Sequence, residues 1–328
     1  MPVLALTGVT GFIGRALLAR LLGDSELDDT ALGAPRPSGP AGAGLNLRVL
    51  VRGRGRIDAA RTGRIEQIDG DLDDPDALAE LVSGADAVVH LAGAIAGSRA
   101  EDFDRVNVEG SRRLADAIRT HAPGAHALLV SSLAAENPTL SWYAASKAGA
   151  EQAWQALPGE CRSVLRPPAV YGPEDPALAD FWKALSRGWL IRLGPREARF
   201  SLVHVDDVVE AIIRLLEHGP TKTAMTLAGP GPAGGWRWAD IAAIASRLRG
   251  RPVRTLAVPA ALLGAAGATG LAIQRLRGRR ALLSPGKVRE LRHIDWVCDN
   301  LALSAHLDWT PERTLDDALP TLPGWNHP

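Results

Sequence analysis

The chain opens with an apolar run, Val3-Leu4-Ala5-Leu6, that runs straight into Thr7-Gly8-Val9-Thr10-Gly11-Phe12-Ile13-Gly14. A buried strand, a glycine turn and then a helix is an arrangement few folds can begin with. Glycine lets the backbone curl tightly and meet a phosphate with no Cβ in the way, and the next helix offers unpaired N–H groups and its positive dipole end. Phe12 to Leu22 has the apolar spacing of such a helix. The reading is a pyrophosphate-binding turn for a dinucleotide, with Thr7, Gly8, Gly11, Phe12, Ile13 and Gly14 around it. The glycines stand three apart, unlike a G-x-G-x-x-G turn. Glycine also occurs in strand–helix turns that hold nothing, so the assignment needs support from further along the chain.

That support begins with the rhythm of elements. Leu47 to Val51, Asp86 to Leu91, Ala127 to Val130 and Ser163 to Arg166 read as short apolar strands, and Asp74 to Val82 as a helix between two of them. Alternation at this pitch predicts an α/β fold, a Rossmann-type doubly wound parallel sheet. Asp24 to Asn46, with Gly-Ala-Pro-Arg-Pro-Ser-Gly-Pro inside it, reads as a long loop. From Tyr171 the pattern loosens, returns to strand and helix over 200–216, then becomes irregular. The expected division is 1–170 with 200–228 as the cofactor-binding unit, and 171–199 with 229–328 as a smaller, discontinuous substrate lobe.

The second strand ends in Arg52, with Arg54 and Arg56 close behind and no carboxylate nearby in sequence. A carboxylate there would accept from a ribose 2′-hydroxyl, whereas guanidinium groups fit a 2′-phosphate. The expectation is NADP(H), with NAD the alternative, and a solvated basic loop is the plain reading of the same arginines. Asp71 and Leu72, in Gly70-Asp71-Leu72, are expected beside the adenine.

Tyr143-Ala144-Ala145-Ser146-Lys147 sets a phenol and an ammonium one helical turn apart, with Ser131-Ser132 just upstream. A tyrosine pKa of roughly 10 is too high for ready proton exchange, and a nearby cation favours the phenolate. Tyr143 is the candidate proton donor or acceptor, Lys147 its electrostatic partner and a holder of ribose hydroxyls, and Ser132 a hydrogen-bond partner for the reacting oxygen. An ordinary helix-surface pair is the alternative for Tyr143 and Lys147.

With these motifs in hand, the chain resembles an extended short-chain dehydrogenase/reductase of the NAD-dependent epimerase/dehydratase group over nearly its whole length. The matching segments also include His90-Leu91-Ala92-Gly93, Asn107-Val108-Glu109-Gly110, Leu165 through Pro173, and Val203-His204-Val205-Asp206-Asp207. The resemblance implies that Ser132, Tyr143 and Lys147 are catalytic and that Asn107 supports a proton relay. It places Leu91, Ala92, Gly93, Pro167 and Val170 beside the cofactor, gives His204 a structural role, and makes a homodimer a family expectation. The long 24–46 loop and the short gap between Ser132 and Tyr143 depart from the family norm.

Members that act on nucleotide sugars carry asparagine where this chain has Ala169, so the variant looks more like the ketone and steroid reductases of the group. Leu256 to Ile273 has no charge and is followed by Arg275, Arg277, Arg279 and Arg280. Pro259 and several glycines argue against a membrane span. The segment reads as a helix packed into the second lobe, as an apolar cap over a lipid-like substrate, or as a membrane-surface contact through 256–280. Nine tryptophans accompany two tyrosines; most are expected in cores, with Trp142 abutting Tyr143 and Trp182 and Trp189 in the segment expected to wall an apolar pocket.

The expectation is therefore an NADP(H)-dependent oxidoreductase for a carbonyl or secondary alcohol on an apolar substrate, such as the 3-keto group of a sphingoid lipid or ceramide, or a steroid ketone. A nucleotide-sugar epimerase or dehydratase with bound NAD is the alternative enzyme. A non-catalytic NADPH-binding accessory subunit, like that of respiratory complex I, is the alternative of a different class. The 37 basic and 37 acidic residues cancel, so no overall field draws nucleic acid or an anionic membrane. Cys161 and Cys298 lack metal-ligand spacing and are expected as free thiols, no metal site is expected, and the N-terminal pattern predicts a cytoplasmic location, with membrane association through the apolar segment.

Overall fold

The computed structural model describes residues 1–23, 44–53, 65–277 and 283–325. Most of the 24–46 loop, Arg54, Arg56, Arg279 and Arg280 lie outside the described residues. Seven parallel strands form the main sheet: β1 (Val3–Thr7), β2 (Asn46–Val51), β3 (Ile65–Asp69), β4 (Ala87–His90), β5 (His126–Val130), β6 (Arg162–Arg166) and, later in the chain, Ala224–Thr226. The spatial order runs from Ala224–Thr226 through β6, β5, β4, β1 and β2 to β3. The chain thus winds outward from β1 in one direction and, after β3, returns to wind the other way. The gap beyond the carboxyl ends of β1 and β4 is the switch point where such sheets bind ligands.

Alternation along β1 assigns the two faces. Leu4 and Leu6 join α1 (Phe12–Leu22) in one core cluster, while Ala5 joins α2 (Pro75–Val82) in the other. A four-residue α3 (Ala100–Phe103) leads through a π-helical stretch, Asp104–Glu109, into α4 (Gly110–His121). Helix α4 and α5 (Trp142–Trp154) complete the second face, with Leu114, Ile118 and Trp154 buried. Helix α2 starts where a sequence reading puts it, because the Asp74 carboxylate accepts from the N–H groups of Asp76 and Ala77 and Pro75 occupies the first turn.

The short strand β7 (Ala169–Tyr171) leads out to a third cluster around Tyr171, Trp182, Leu185, Leu190 and Trp236. It holds α6 (Ala179–Ser186), β8 (Trp189–Arg192) and β9 (Arg199–Phe200). The chain returns through β10 (Leu202–His204), which pairs in parallel with β7, and α7 (Val205–His218), which packs beside α1, to β11, the seventh sheet strand (Ala224–Thr226). Then follow β12 (Trp236–Arg237), α8 (Trp238–Arg249), β13 (Arg254–Ala257), α9 (Ala260–Arg277), α10 (Pro285–Arg292), β14 (Asp295–Trp296), α11 (Leu301–Leu307) and α12 (Leu315–Ala318). The stretch after 228 is therefore rich in short helices where the sequence pattern looked irregular. Leu303 and Leu307 of α11 join the cluster of α1 and α7.

Two expectations change. The apolar segment 256–273 is mostly helix, but not one packed into a core. In α9, Leu263 and Gly267 are buried, and Leu262 and Ile273 are 62% and 42% exposed. The tryptophans also separate: Trp182 fills the third core, whereas Trp189 faces outward on β8. No helix among the described residues is long and apolar enough to cross a membrane.

Candidate active site

The glycine turn is closed by its neighbours as well as by its own torsions. Gly8 has φ +74°, and a Cβ on it would lie 2.4 Å from the Ala92 backbone nitrogen. A Cβ on Gly14 would lie 2.2 Å from the Gly8 carbonyl oxygen, so the first turn of α1 rests directly on the loop. Gly11 is the helix N-cap and makes no side-chain cap, and no acidic residue follows in the first turn. The Cβ-free cradle and the uncapped N–H groups fit a pyrophosphate. Leu91 and Ala92 hold the other wall, their N–H groups donating to the carbonyl and hydroxyl oxygens of Thr7 at 3.2 and 3.3 Å. Phe12 reaches across to Gly172, where a Cβ would sit 3.1 Å from its ring, and Ile13 and Val170 pack on the first core cluster.

Around the expected adenosine end, Leu72 is buried against Gly110, and the Asp71 carboxylate accepts from the Asp73 N–H at 2.8 Å. Arg52 is exposed at the end of β2. The structure adds a group that the linear reading missed. Asp69, paired with Val51 across the sheet, accepts from the Gly53 N–H at 2.9 Å, so a carboxylate stands at the end of β2 after all.

A buried hydrogen-bond chain runs from this turn to α5. The Thr7 hydroxyl meets His90 Nδ1 at 2.6 Å, and His90 Nε2 meets the Ser111 hydroxyl at 3.0 Å. Ser111 donates to the Asn107 carbonyl at 2.5 Å, so it must accept from His90, which fixes the Nε2–H tautomer. Burial, then the charge of Lys147, lowers the His90 pKa to about 3, and the ring stays neutral, stacked on Trp154. The Asn107 side chain, presented by the π-helical stretch, donates to the Ala94 carbonyl at 3.0 Å and to Ser146 Oγ at 2.8 Å, and accepts from the Ala94 N–H at 2.7 Å. Ser146 in turn donates to the Tyr143 carbonyl at 2.8 Å. Asn107 thus ties the loop after β4 to α5 with its side chain, through Ser146, a residue to which the sequence reading gave no role.

Helix α5 begins at Ser141, whose hydroxyl accepts from the Ala144 N–H at 2.9 Å. Ser132 follows β5, caps a 3-10 turn and hydrogen-bonds the Tyr143 phenol. Ser131 points the other way, donating to Glu151 at 2.5 Å, and Glu151 is held by Arg166. The Lys147 ammonium is buried and donates to the Val130 carbonyl at 3.0 Å. Burial lowers its pKa to about 8, against the pull of Glu151. Tyr143 departs from the expectation that the lysine favours its phenolate. Burial pushes the phenol up to about 12; the Ser132 hydrogen bond opposes this and the charge of Glu290 adds to it. Lys147 donates to Val130 and is not among the groups that shift Tyr143, so burial holds the phenol in its protonated form.

Other expected positions fall around this group. Pro167 is buried after β6, its carbonyl accepting from Leu133 at 2.9 Å. A Cβ on Gly93 would lie 3.2 Å from the Asn107 amide oxygen and 3.7 Å from the Lys147 ammonium. Phe103 meets Tyr143 edge-on at 6.5 Å, and Trp142 and Ile95 are 38% and 75% exposed nearby in sequence. His204 is buried, accepts from the Asp206 N–H at 3.2 Å and meets the Tyr171 ring edge-on, as a structural residue would. Cys161 and Cys298 are free thiols. Glu290 and Arg289, which grip the start of α5 from α10, carry no local sequence signal.

Comparison with known proteins identifies the family. A profile of the NAD dependent epimerase/dehydratase family matches residues 4–228. A ceramide reductase of Caulobacter vibrioides is 34% identical over 295 residues, covering 90% of this chain and 86% of that protein. A UDP-2-acetamido-2,6-beta-L-arabino-hexul-4-ose reductase of Pseudomonas aeruginosa is 28% identical over 192 residues, covering 56% and 49%. The solved structure of a UDP-glucuronic acid 4-epimerase from Bacillus cereus in complex with NAD superposes with a TM-score of 0.70 at 17% identity, covering 99% and 98% of the two chains, a likeness of fold. The chain belongs to the NAD dependent epimerase/dehydratase family and is an NAD(P)-dependent oxidoreductase of the short-chain dehydrogenase/reductase type.

Proposed function

We propose that this chain reduces a ketone on an apolar, lipid-like molecule with NADPH, the 3-keto group of a sphingoid base or ceramide being the specific substrate class. The observation that carries the reading is the Tyr143 phenol, held protonated by burial and hydrogen-bonded to Ser132. Such a group gives a proton to an oxygen that gains negative charge, the demand of carbonyl reduction. The apolar edge of Phe103 beside the phenol, and Ala169 where nucleotide-sugar members carry asparagine, favour an apolar substrate. The match to a ceramide reductase along 90% of the chain supports the same class.

In this reading the glycine turn and the N-terminus of α1 hold the pyrophosphate, and Arg52 takes a 2′-phosphate while the Asp69 carboxylate is engaged by the Gly53 N–H. When bound, the nicotinamide supplies the hydride. Ser132 orients the ketone oxygen, Tyr143 donates the phenolic proton to it, and the Lys147 ammonium holds ribose hydroxyls and stabilises the phenolate left behind. Asn107 and Ser146 fix the helix that carries both groups.

Titration of the purified protein with NADPH and NADH, followed by turnover on long-chain 3-keto lipids, steroid ketones and nucleotide sugars, tests the proposal. Preferential NADPH binding with oxidation on a 3-keto lipid is the expected result. Resident NAD and conversion of a nucleotide sugar without net oxidation would overturn it in favour of an epimerase. Cofactor binding without turnover on any of the three classes would favour an accessory subunit.

A further inference from the structure

From Ile241 to Arg289 the chain carries ten arginines and lysines and no aspartate or glutamate, in a protein whose charges cancel overall. Some of these cations are engaged: Arg247 pairs with Asp316, Arg249 donates to the Ser186 carbonyl, and Lys287 pairs with Glu290. Arg251 and Arg254 are exposed, and Arg275, Arg277, Arg279 and Arg280 follow at the far end in sequence. Between the two basic ends lies an uncharged stretch, Thr255 to Gln274.

The fold leaves that stretch uncovered. All four residues of β13 are exposed. One side of α9 rests on α10, where Gly267 approaches Val288 and Ser284, while Leu256 and Leu262 are 52% and 62% exposed. Trp189, 43% exposed, sits opposite Arg254 in the β8–β13 ladder with the guanidinium 5.9 Å from its ring centre. An outward tryptophan beside an arginine suits the boundary between headgroups and acyl chains.

We infer that β13 and α9 form a docking surface for a bilayer containing anionic phospholipid, with Trp189, Leu256 and Leu262 entering the interface and Arg251 and Arg254 at the phosphates. An apolar centre between cationic ends is complementary to a membrane surface, which offers apolar depth below a negative layer. A second copy of the chain would bring like charges together around the same strip, and a nucleic acid would find no hydrogen-bonding side chain at its centre other than Thr255, Thr269 and Gln274. Since no described helix can cross a membrane, α9 lies along the surface. The inference makes no use of the substrate, so it stands or falls apart from the function proposed above.

The test is flotation of the full chain with phosphatidylcholine vesicles that contain or lack phosphatidylglycerol, at low and high salt. The chain is expected to float with the anionic vesicles and to release as salt rises. The double variant L256D/L262D, and separately R251E/R254E, should weaken partitioning by about tenfold or more. The exposure of these side chains should leave the melting curve and NADPH titration unchanged. Failure of the unaltered protein to float on anionic vesicles would overturn the inference, as would undiminished flotation of both variants. Conversion of a dimer to a monomer by L256D/L262D, with no change in flotation, would assign the face to a second copy instead.

Discussion

Glu290, on α10, accepts a hydrogen bond from the hydroxyl of Ser141, the N-cap of the helix that carries Tyr143. The same helix α10 adds a second hold, the Arg289 guanidinium donating to the Leu140 carbonyl at 2.7 Å. The start of α5 is thus fixed from a segment 149 residues away, and that segment also places a negative charge where the Tyr143 phenol feels it.

Glu290→Gln keeps an acceptor for Ser141 and removes the charge. With Ser132 and Lys147 unchanged and Lys287 released from its 3.0 Å pairing, the phenol should become more acidic. The alkaline limb of ketone reduction, where the phenol loses its proton, is expected to move to lower pH in this variant. An unmoved limb in a normally folded protein would show that Glu290 acts on position alone. Ser141→Ala removes the cap itself and is expected to cost about 1 kcal/mol, read as a lowered melting temperature.

The three glycines of the turn should answer differently to alanine. Gly8→Ala meets both a left-handed backbone at φ +74° and the Ala92 nitrogen, and Gly14→Ala meets backbone at 2.2 Å. Neither obstacle is a flexible side-chain tip, so each variant should lose on the order of 3 kcal/mol or more. For Gly11 the nearest atom is the Gly8 carbonyl at 3.2 Å, and Gly11→Ala should melt within a few degrees of the unaltered protein. Equal destabilisation at all three positions would refute this account of the turn.

What could be read from the sequence is what short segments carry. The strand–turn–helix start and the placing of Tyr143 and Lys147 on one helix are local patterns, and both form; the phenolate expected of that pair does not, because burial governs the phenol. Ser132 lies 11 positions before Tyr143, close enough for its place after an apolar strand to mark it. The grip of Glu290 on Ser141 spans the chain and leaves no local trace. Asp69 escaped notice for a related reason: sheet pairing, not sequence order, brings it beside Val51 and Gly53. Trp182 and Trp189 lie seven residues apart with opposite fates, one core and one outward, because their identity says only that they are large and apolar. The uncharged run of α9 likewise left a packed helix, an apolar cap and a membrane contact all open, since composition cannot tell a core from an uncovered surface.

His90 should make the fold sensitive to mild acid. Its pKa in the folded state is lowered to about 3, below the usual 6.5 of an unfolded chain. The unfolded chain therefore binds the extra proton first, so the stabilising contribution is complete above about pH 6.5 and is lost as pH falls toward 3. Protonation of Nδ1 would also take away the acceptor for Thr7. The loss is at most about 1.4 kcal/mol per pH unit within that window. Urea unfolding between pH 7 and 4 should show a shallower acid slope in His90→Gln, though that variant starts from lower stability. His126, lowered to about 4 by burial and then by the charge of His306, would leave part of the slope behind. Identical slopes with and without His90 would mean that other groups govern acid unfolding.

Tyr143→Phe separates chemistry from scaffold. The ring keeps its edge contact with Phe103, Ser146 still donates to the carbonyl of residue 143, and Lys147 still donates to Val130, so the helix and the cofactor cradle should remain in place. Only the phenolic proton and its hydrogen bond to Ser132 disappear. Turnover of a ketone is expected to fall about 10²–10⁴-fold, while NADPH affinity changes by no more than about twofold. Lys147→Met should instead weaken both, because the buried ammonium is assigned to the ribose as well as to the phenolate. Turnover that survives Tyr143→Phe at full rate would require another proton donor. Neutral His90 is a poor one, since its Nε2–H is committed to Ser111. The measurement is steady-state kinetics alongside a fluorescence titration of cofactor on the same preparations, so that a fall in turnover cannot be mistaken for a loss of binding.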